Sequence, residues 1–310
     1  MERVMVVGAG VIGLSCAVVL AQAGYEVNVM ARDLPLETTS AVAAALWYPY
    51  LAQPPDRVDA WAAHSYARFV ELSEDPASGV TLRHGTELHR TPTPDPSWCA
   101  AVPGFRRVAD PPTPYVDGWS FTAPIVEMPM YLGWLLTQLA ELGGTVTRMS
   151  FAHLPTPPGV VVNATGLGAR ALAADPAVDS VRGQVLVLEQ IGITDWWLDD
   201  SGPTYLFPRS RDLVLGGTVE PGEWSTQPDP NQAEAILTRV CDLVPALADR
   251  LRATRVIGHK VGRRPARPSV RLEREQVGAS TVIHCYGHGG SGVSLSWGCA
   301  NEVLSLLRGG

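Results

Sequence analysis

The feature that most constrains this chain lies near its start. Val4 to Val7 form an apolar run that meets Gly8-Ala9-Gly10-Val11-Ile12-Gly13; small and apolar residues continue to Gln22, Gly24 gives a stop, and a second run covers Glu26 to Met30. The pattern predicts strand, turn, helix, strand. A GxGxxG string alone is weak, but between a strand and a helix it marks a dinucleotide-binding unit. Gly8 permits the tight turn, Gly10 lets the backbone approach a pyrophosphate, and Gly13 lets the helix pack close on the sheet. The helix start adds free N–H groups and partial positive charge.

Such units usually place an acidic residue at the end of the second strand, where it binds ribose hydroxyls. Here Ala31 ends the strand, followed by Arg32 and Asp33. Asp33 is read as the ribose ligand and Arg32 as a partner of pyrophosphate or adenine; taken alone, the arginine also leaves NADP open. Thr38, Thr39 and Ser40 then offer hydroxyls, and the small residues through Ala45 and Leu46 allow backbone to come close to phosphate or a flat ring. A second glycine-rich segment, Tyr286-Gly287-His288-Gly289-Gly290-Ser291-Gly292, follows a strand and precedes an apolar helix from Val293 to Leu307. Gly289, Gly290, Gly292, Val293 and Ser294 therefore join the candidate cofactor contacts, with Met149 and Thr165 at the ends of intermediate strands.

Elsewhere, helices are predicted near Val58 to Leu72 and Pro129 to Leu142. Strands are predicted over Thr145–Met149, Gly159–Asn163, Gln184–Glu189, Thr204–Pro208, Leu213–Gly217, Arg255–Val261 and Ala279–Cys285. The seven prolines from Thr91 to Pro114 read as a surface excursion. Short turns between several later strands imply an antiparallel sheet inserted into a parallel α/β scaffold. The expected fold is thus α/β: a Rossmann-like domain, discontinuous over 1–50, 144–180 and 262–310, and a mostly antiparallel substrate or interface domain over 51–143 and 181–261.

The net charge of −7 includes no long run of one sign, so nothing points to nucleic acid or a membrane surface. No apolar stretch is long enough to span a bilayer, and Val4 follows Met1 too closely for a signal peptide; a cytoplasmic protein is expected. Cys16, Cys99, Cys241, Cys285 and Cys299 lack metal-like spacing and read as reduced, buried thiols, with a Cys241 to Cys285 bridge left open. No metal site is expected.

Four stretches together resemble the D-amino acid oxidase family over almost the whole chain: Val6 to Ser15; Val42-Ala43-Ala44-Ala45-Leu46-Trp47-Tyr48-Pro49-Tyr50; Arg264-Pro265-Ala266-Arg267-Pro268-Ser269-Val270-Arg271-Leu272-Glu273; and Tyr286 to Gly292. The last two are also found in its D-aspartate oxidase sister. The resemblance implies noncovalent FAD, a D-amino acid and O2 as reactants, a 2-oxo acid, ammonia and peroxide as products, and a homodimer as a common state. It places the substrate carboxylate on Arg264 and Tyr205, and the substrate amine on the Gly290 carbonyl. A guanidinium fork with a neutral phenol donor suits a carboxylate, and it holds the Cα–H for hydride transfer to the flavin. The second loop-to-helix site would face the pyrimidine end of that ring. His288 reads as a loop-positioning residue rather than a base.

Two departures bear on specificity. The position of a second, lid-borne tyrosine holds Ser201, and the segment Gln190 to Thr204 is short, so no lid is expected. Neutral or bulky D-amino acids are the favoured substrates; D-aspartate would need a further inward cation from Arg209, Arg211 or Arg263. A glycine or sarcosine-type amine oxidase with flavin tethered at Cys299, and a flavoprotein without turnover, complete the alternatives.

Overall fold

The computed structural model describes residues 2–309. The chain begins as anticipated, with β1 (Arg3–Val7), α1 (Val11–Gln22) and β2 (Glu26–Ala31). Next come α2 (Pro55–Leu72), β3 (Val80–His89), β4 (Arg106–Arg107), β5 (Asp117–Val126), α3 (Met128–Glu141), β6 (Thr145–Arg148), β7 (Gly159–Asn163), the short α4 (Ala169–Leu172) and β8 (Asp179–Glu189). The remainder is β9 (Trp196–Asp199), β10 (Thr204–Pro208), β11 (Asp212–Gly216), β12 (Glu220–Pro221), α5 (Pro230–Leu243), α6 (Ala248–Ala253), β13 (Val256–Val277), β14 (Ser280–His288) and α7 (Gly292–Arg308).

One sheet carries all of this, in the order β4-β5-β3-β9-β10-β11-β8-β13-β14-β7-β1-β2-β6, with β12 paired to β8. From β14 to β6 the strands are parallel. From β8 to β10 they are antiparallel, and β13 is the hinge between the halves, antiparallel to both β8 and β14. The boundaries at 181 and 262 fall inside β8 and β13, so the halves share a hydrogen-bonded ladder.

Strand β13 extends well past the expected end at Val261. Pro265 and Pro268 argue against a strand because proline lacks a ladder donor. Here β13 pairs with β8 as far as Ala266, and its ladder with β14 shifts register between Ala266 and Arg271, around Pro268. The sequence also gave no warning of β3, β5 and β9. Helix α5 was unexpected too, although Asp229 caps it by accepting from Asn231 N–H at 2.8 Å, Pro230 opens it, and Ala233, Ile236 and Val240 form a buried stripe.

Alternation decides which side chains reach the two faces of the antiparallel half. On one face Leu206, Leu213, Leu215, Leu186 and Leu188 pack under Ile236 and Val240 of α5. On the other face Tyr205, Phe207, Val214 and Val185 belong to the larger core, which continues through α1, α2, α3 and α7. Truncating one of the fully buried leucines would cost about 2–5 kcal/mol, so α5 holds the back of the face that Tyr205 presents. Among the described residues, no helix is long and apolar enough to cross a membrane.

Candidate active site

A single cavity of about 760 Å³ runs from the β1 turn to the β10 face. Every anticipated cofactor or substrate residue lines it except Gly13. Gly13 packs behind: a Cβ there would collide with the Gly8 carbonyl, so it serves the helix–sheet approach rather than a ligand. Gly8 has φ +116°, and a Cβ on it would strike the Ala164 carbonyl. A Cβ on Gly10 would stand 3.1 Å from Ser40 Oγ, closing the approach to the α1 N terminus. That terminus has no acidic residue in its first turn to compete for its charge. The cradle therefore fits a pyrophosphate, as FAD requires.

The hydroxyls of 38–40 have a different use from the one anticipated. Ser40 Oγ accepts from Val11 N–H at 3.0 Å, Thr38 Oγ1 donates to the Pro35 carbonyl at 2.7 Å, and Thr39 Oγ1 donates to the Arg263 carbonyl at 3.1 Å. They hold the loop against the helix and β13. Arg32 and Asp33 are likewise engaged with each other, the guanidinium reaching Asp33 Oδ2 at 2.6 Å and holding the carboxyl below its usual range. Both still line the cavity, beside the exposed Met149.

At the second loop, α7 clasps the Tyr48–Tyr50 segment. Ser291 Oγ donates to the Tyr50 carbonyl at 2.6 Å, and Ser294 Oγ donates to the Tyr48 carbonyl and accepts from Tyr48 N–H, both at 2.9 Å. Gly289 N–H is tied to the Pro265 carbonyl at 2.9 Å. This brings Gly290 beside Arg264: a Cβ on it would lie 3.6 Å from Arg264 Cδ and from Tyr50 Cδ1. His288 is buried, its Nε2 has no partner, and burial pushes its pKa down to about 4. It is neutral at physiological pH.

Arg264 stands on a platform made by absence. A Cβ at Gly183 would run into its guanidinium, and one at Gly216 would run into the Tyr205 ring. Nη1 of Arg264 donates to the carbonyls of Thr218 at 3.1 Å and Arg182 at 3.3 Å. Among the described residues it has no carboxylate partner, whereas Arg267 pairs with Asp175 at 2.9 Å and Arg271 with Glu273 at 2.6 Å. Tyr205 stacks on Phe207 with ring centroids 4.3 Å apart. Burial raises the pKa of its hydroxyl, opposed by the adjacent Arg264, so it remains a neutral donor.

The sequence reading missed Tyr48, Leu198, Phe207 and Glu87 in the lining. Glu87 is 1% exposed, accepts from Tyr48 Oη at 2.9 Å, and has Oε2 without a partner. Burial raises its pKa to about 8. An unpartnered buried group of this kind costs about 1–3 kcal/mol. The signal that could have found it is alternation in β3, but β3 itself was not read as a strand.

The other cations and thiols are also placed. Arg209 is buried and bound by Asp212 at 2.6 Å, Arg211 is exposed, and neither lines the cavity. Arg263 lines it, close enough to influence Asp33. All five cysteines are free, which removes the Cys241 to Cys285 bridge; Cys99 is half-buried rather than buried. Cys299 is buried in α7 outside the lining. Cys285, His288 and Cys299 cluster with ligand atoms within 4.8 Å of one another, a grouping the spacing did not reveal. Ser201 sits in the tight turn between β9 and β10, its Oγ donating to Asp199 Oδ1 at 2.6 Å.

The family model described as FAD dependent oxidoreductase matches residues 3–306. The chain is 49% identical to a D-amino-acid oxidase of Rubrobacter xylanophilus, over 98% of this chain and 95% of that protein. It is 42% identical to a D-amino-acid oxidase of Streptomyces coelicolor, over 98% and 96%. Among solved structures, glycine oxidase from Geobacillus kaustophilus aligns with a TM-score of 0.82 at 18% identity, covering 99% of this chain and 95% of that one. At that identity the likeness speaks for the fold alone.

Proposed function

This chain belongs to the FAD-dependent oxidoreductase family, and on that premise we propose that it oxidises free D-amino acids, with O2 as the final acceptor. The observation that carries this reading is Arg264, a guanidinium facing the cavity with no carboxylate partner among the described residues, beside the neutral Tyr205. Those two groups receive the substrate carboxylate, and the Gly290 carbonyl receives its amine. Bound FAD supplies the acceptor for the hydride leaving the α carbon. Gly8 to Ile12 with the α1 N terminus hold its pyrophosphate, and the backbone of Gly289 to Ser294 lies along its ring end.

No side chain has to act as a base in this scheme. His288, which lines the cavity, is neutral and enclosed, and a substrate held as the neutral amine needs only orientation. FAD stays noncovalent, since Cys299 lies outside the lining. Products leave without a lid, because the β9–β10 connection is a tight turn. D-Aspartate is a poor fit: Arg209 is occupied by Asp212, Arg211 lies outside the cavity, and Arg263, which lines it, stands near Asp33 at the cofactor end. The five free thiols suit a reducing compartment, so a cytoplasmic location completes the proposal, with a homodimer, common in the family it resembles, as its assembly. Light scattering checks its assembly.

The test is a peroxide-coupled assay of the yellow holoenzyme over matched D- and L-amino acids. Turnover of D-methionine, D-valine or D-phenylalanine with none of their L-forms is expected. Peak efficiency on D-aspartate, or on glycine and sarcosine alone, overturns the reading.

A further inference from the structure

The floor of the cavity beyond Tyr205 is a row of residues on one face of the sheet. Glu87 of β3 pairs with Leu198 of β9, Leu198 with Tyr205 of β10, and Tyr205 with Gly216 of β11. Directly paired residues share a face, and Glu87, Leu198 and Tyr205 all line the cavity. Strand spacing puts Glu87 roughly 10 Å from Tyr205 at the backbone. A substrate anchored by its carboxylate at Arg264 and Tyr205 would therefore lay its side chain across Leu198 toward Glu87.

The charged groups at that end are unequal. Asp199 is satisfied by Tyr115 Oη at 2.7 Å and Arg90 at 3.1 Å, and Asp200 faces His89 Nδ1 at 2.8 Å. Among the described residues Glu87 has only Tyr48, and its Oε2 is both buried and without a donor. The basic residues of the lining, Arg32, Arg263 and Arg264, belong to the elements that build the cofactor and carboxylate ends. An apolar stretch followed by an acid lacking a donor is the complement of a methylene chain with a cationic tip.

We propose that this subsite takes a long cationic side chain, with Glu87 receiving the distal ammonium or guanidinium of a basic D-amino acid such as D-lysine or D-arginine. The proposal rests on the D-amino acid oxidase reading above and names a substrate class for it. Neutral chains still fit, because Glu87 can stay protonated against Tyr48 when no cation arrives; a cation draws it into the ionised form.

The test compares D-lysine with D-norleucine, which has the same carbon chain without the amine. The wild-type holoenzyme is expected to use D-lysine at least as efficiently as D-norleucine in kcat/KM. Glu87→Gln is expected to lower the D-lysine to D-norleucine ratio at least tenfold. Binding is read separately on the wild type, where 6-aminohexanoate should inhibit at least tenfold more strongly than hexanoate. That measurement needs no variant to fold. Oxidation of D-norleucine with D-lysine ignored, an unchanged ratio in Glu87→Gln, or equal inhibition by the two acids would each overturn this proposal alone. Failure to oxidise any D-amino acid would instead remove the reading beneath it.

Discussion

Strand β13 treats its arginines in two ways. Toward the cavity, Arg264 rests on two carbonyls and meets no carboxylate among the described residues. A few residues on, Arg267 is held by Asp175, itself bound by Tyr286 Oη at 2.9 Å, and Arg271 reaches Glu273, Glu275 and Tyr286. All three stand in one motif, and the residue type is constant. What differs is whether the fold supplies an anion. An arginine left without one and turned into a cavity is poised to take one from a ligand, whereas a saturated one is part of the frame.

The sharpest way to break this contrast is Arg264→Ala. We expect kcat/KM to fall roughly a thousandfold, or about 4 kcal/mol of transition-state stabilisation, with Arg264→Lys recovering only part because an ammonium cannot offer a fork. Since no ion pair is lost, melting should shift by less than about 2 °C. Activity retained, or a large melting loss, would place Arg264 in the frame with its neighbours.

Arg267→Ala is expected to do the reverse. Asp175 is 8% exposed, and removing its partner leaves a buried carboxylate with only Tyr286 Oη and the Ala177 N–H as donors; a loss of about 2 kcal/mol in a denaturant titration is expected. Efficiency per bound flavin should change less than threefold. A loss of activity matching that of Arg264→Ala would dissolve the contrast.

The same contrast explains what could be read in advance. The β1–α1–β2 unit was legible because its signals are local: three glycines, a helix and two apolar strands. Arg264 and Tyr205 were legible only through the family resemblance, since the sequence does not say that Asp175 faces Arg267 from 92 positions away. Glu87 was illegible for a further reason. Strand β3 mixes Arg83, His84 and Glu87 with its apolar residues and is paired on both sides by strands distant in sequence, so neither its periodicity nor its neighbours were visible. Arg32, Asp33 and the 38–40 hydroxyls line the cavity, but sequence could not show that they bind one another and the loop first.

Tyr205→Phe sharpens the anchoring end by removing one neutral donor and keeping the stack on Phe207. A single hydrogen bond to a charged group is worth about 1.5–3 kcal/mol, so kcat/KM should fall roughly tenfold or somewhat more, chiefly through KM if the phenol binds ground state and transition state alike. Steady-state kinetics with one neutral D-amino acid measures this. A thousandfold loss would mean that Tyr205, not Arg264, is the principal anchor.

The smallest effect belongs to Glu273→Gln at the saturated end. Arg271 keeps Glu275 at 2.9 Å and Tyr286 Oη at 2.9 Å, and Glu273 is more than half exposed, so solvent screening limits the loss to about 0.5 kcal/mol. Its sign with pH follows from the titration. The hydrogen bond from Arg271 holds the folded-state pKa of Glu273 below its ordinary value, so its contribution is present above the unfolded-state value and disappears as pH falls through the folded one. Denaturant titrations of both proteins at neutral pH and at about pH 3 should show the difference shrinking on acidification, and a difference that grew instead would mean that Glu273 is strained rather than stabilised by its place on β13.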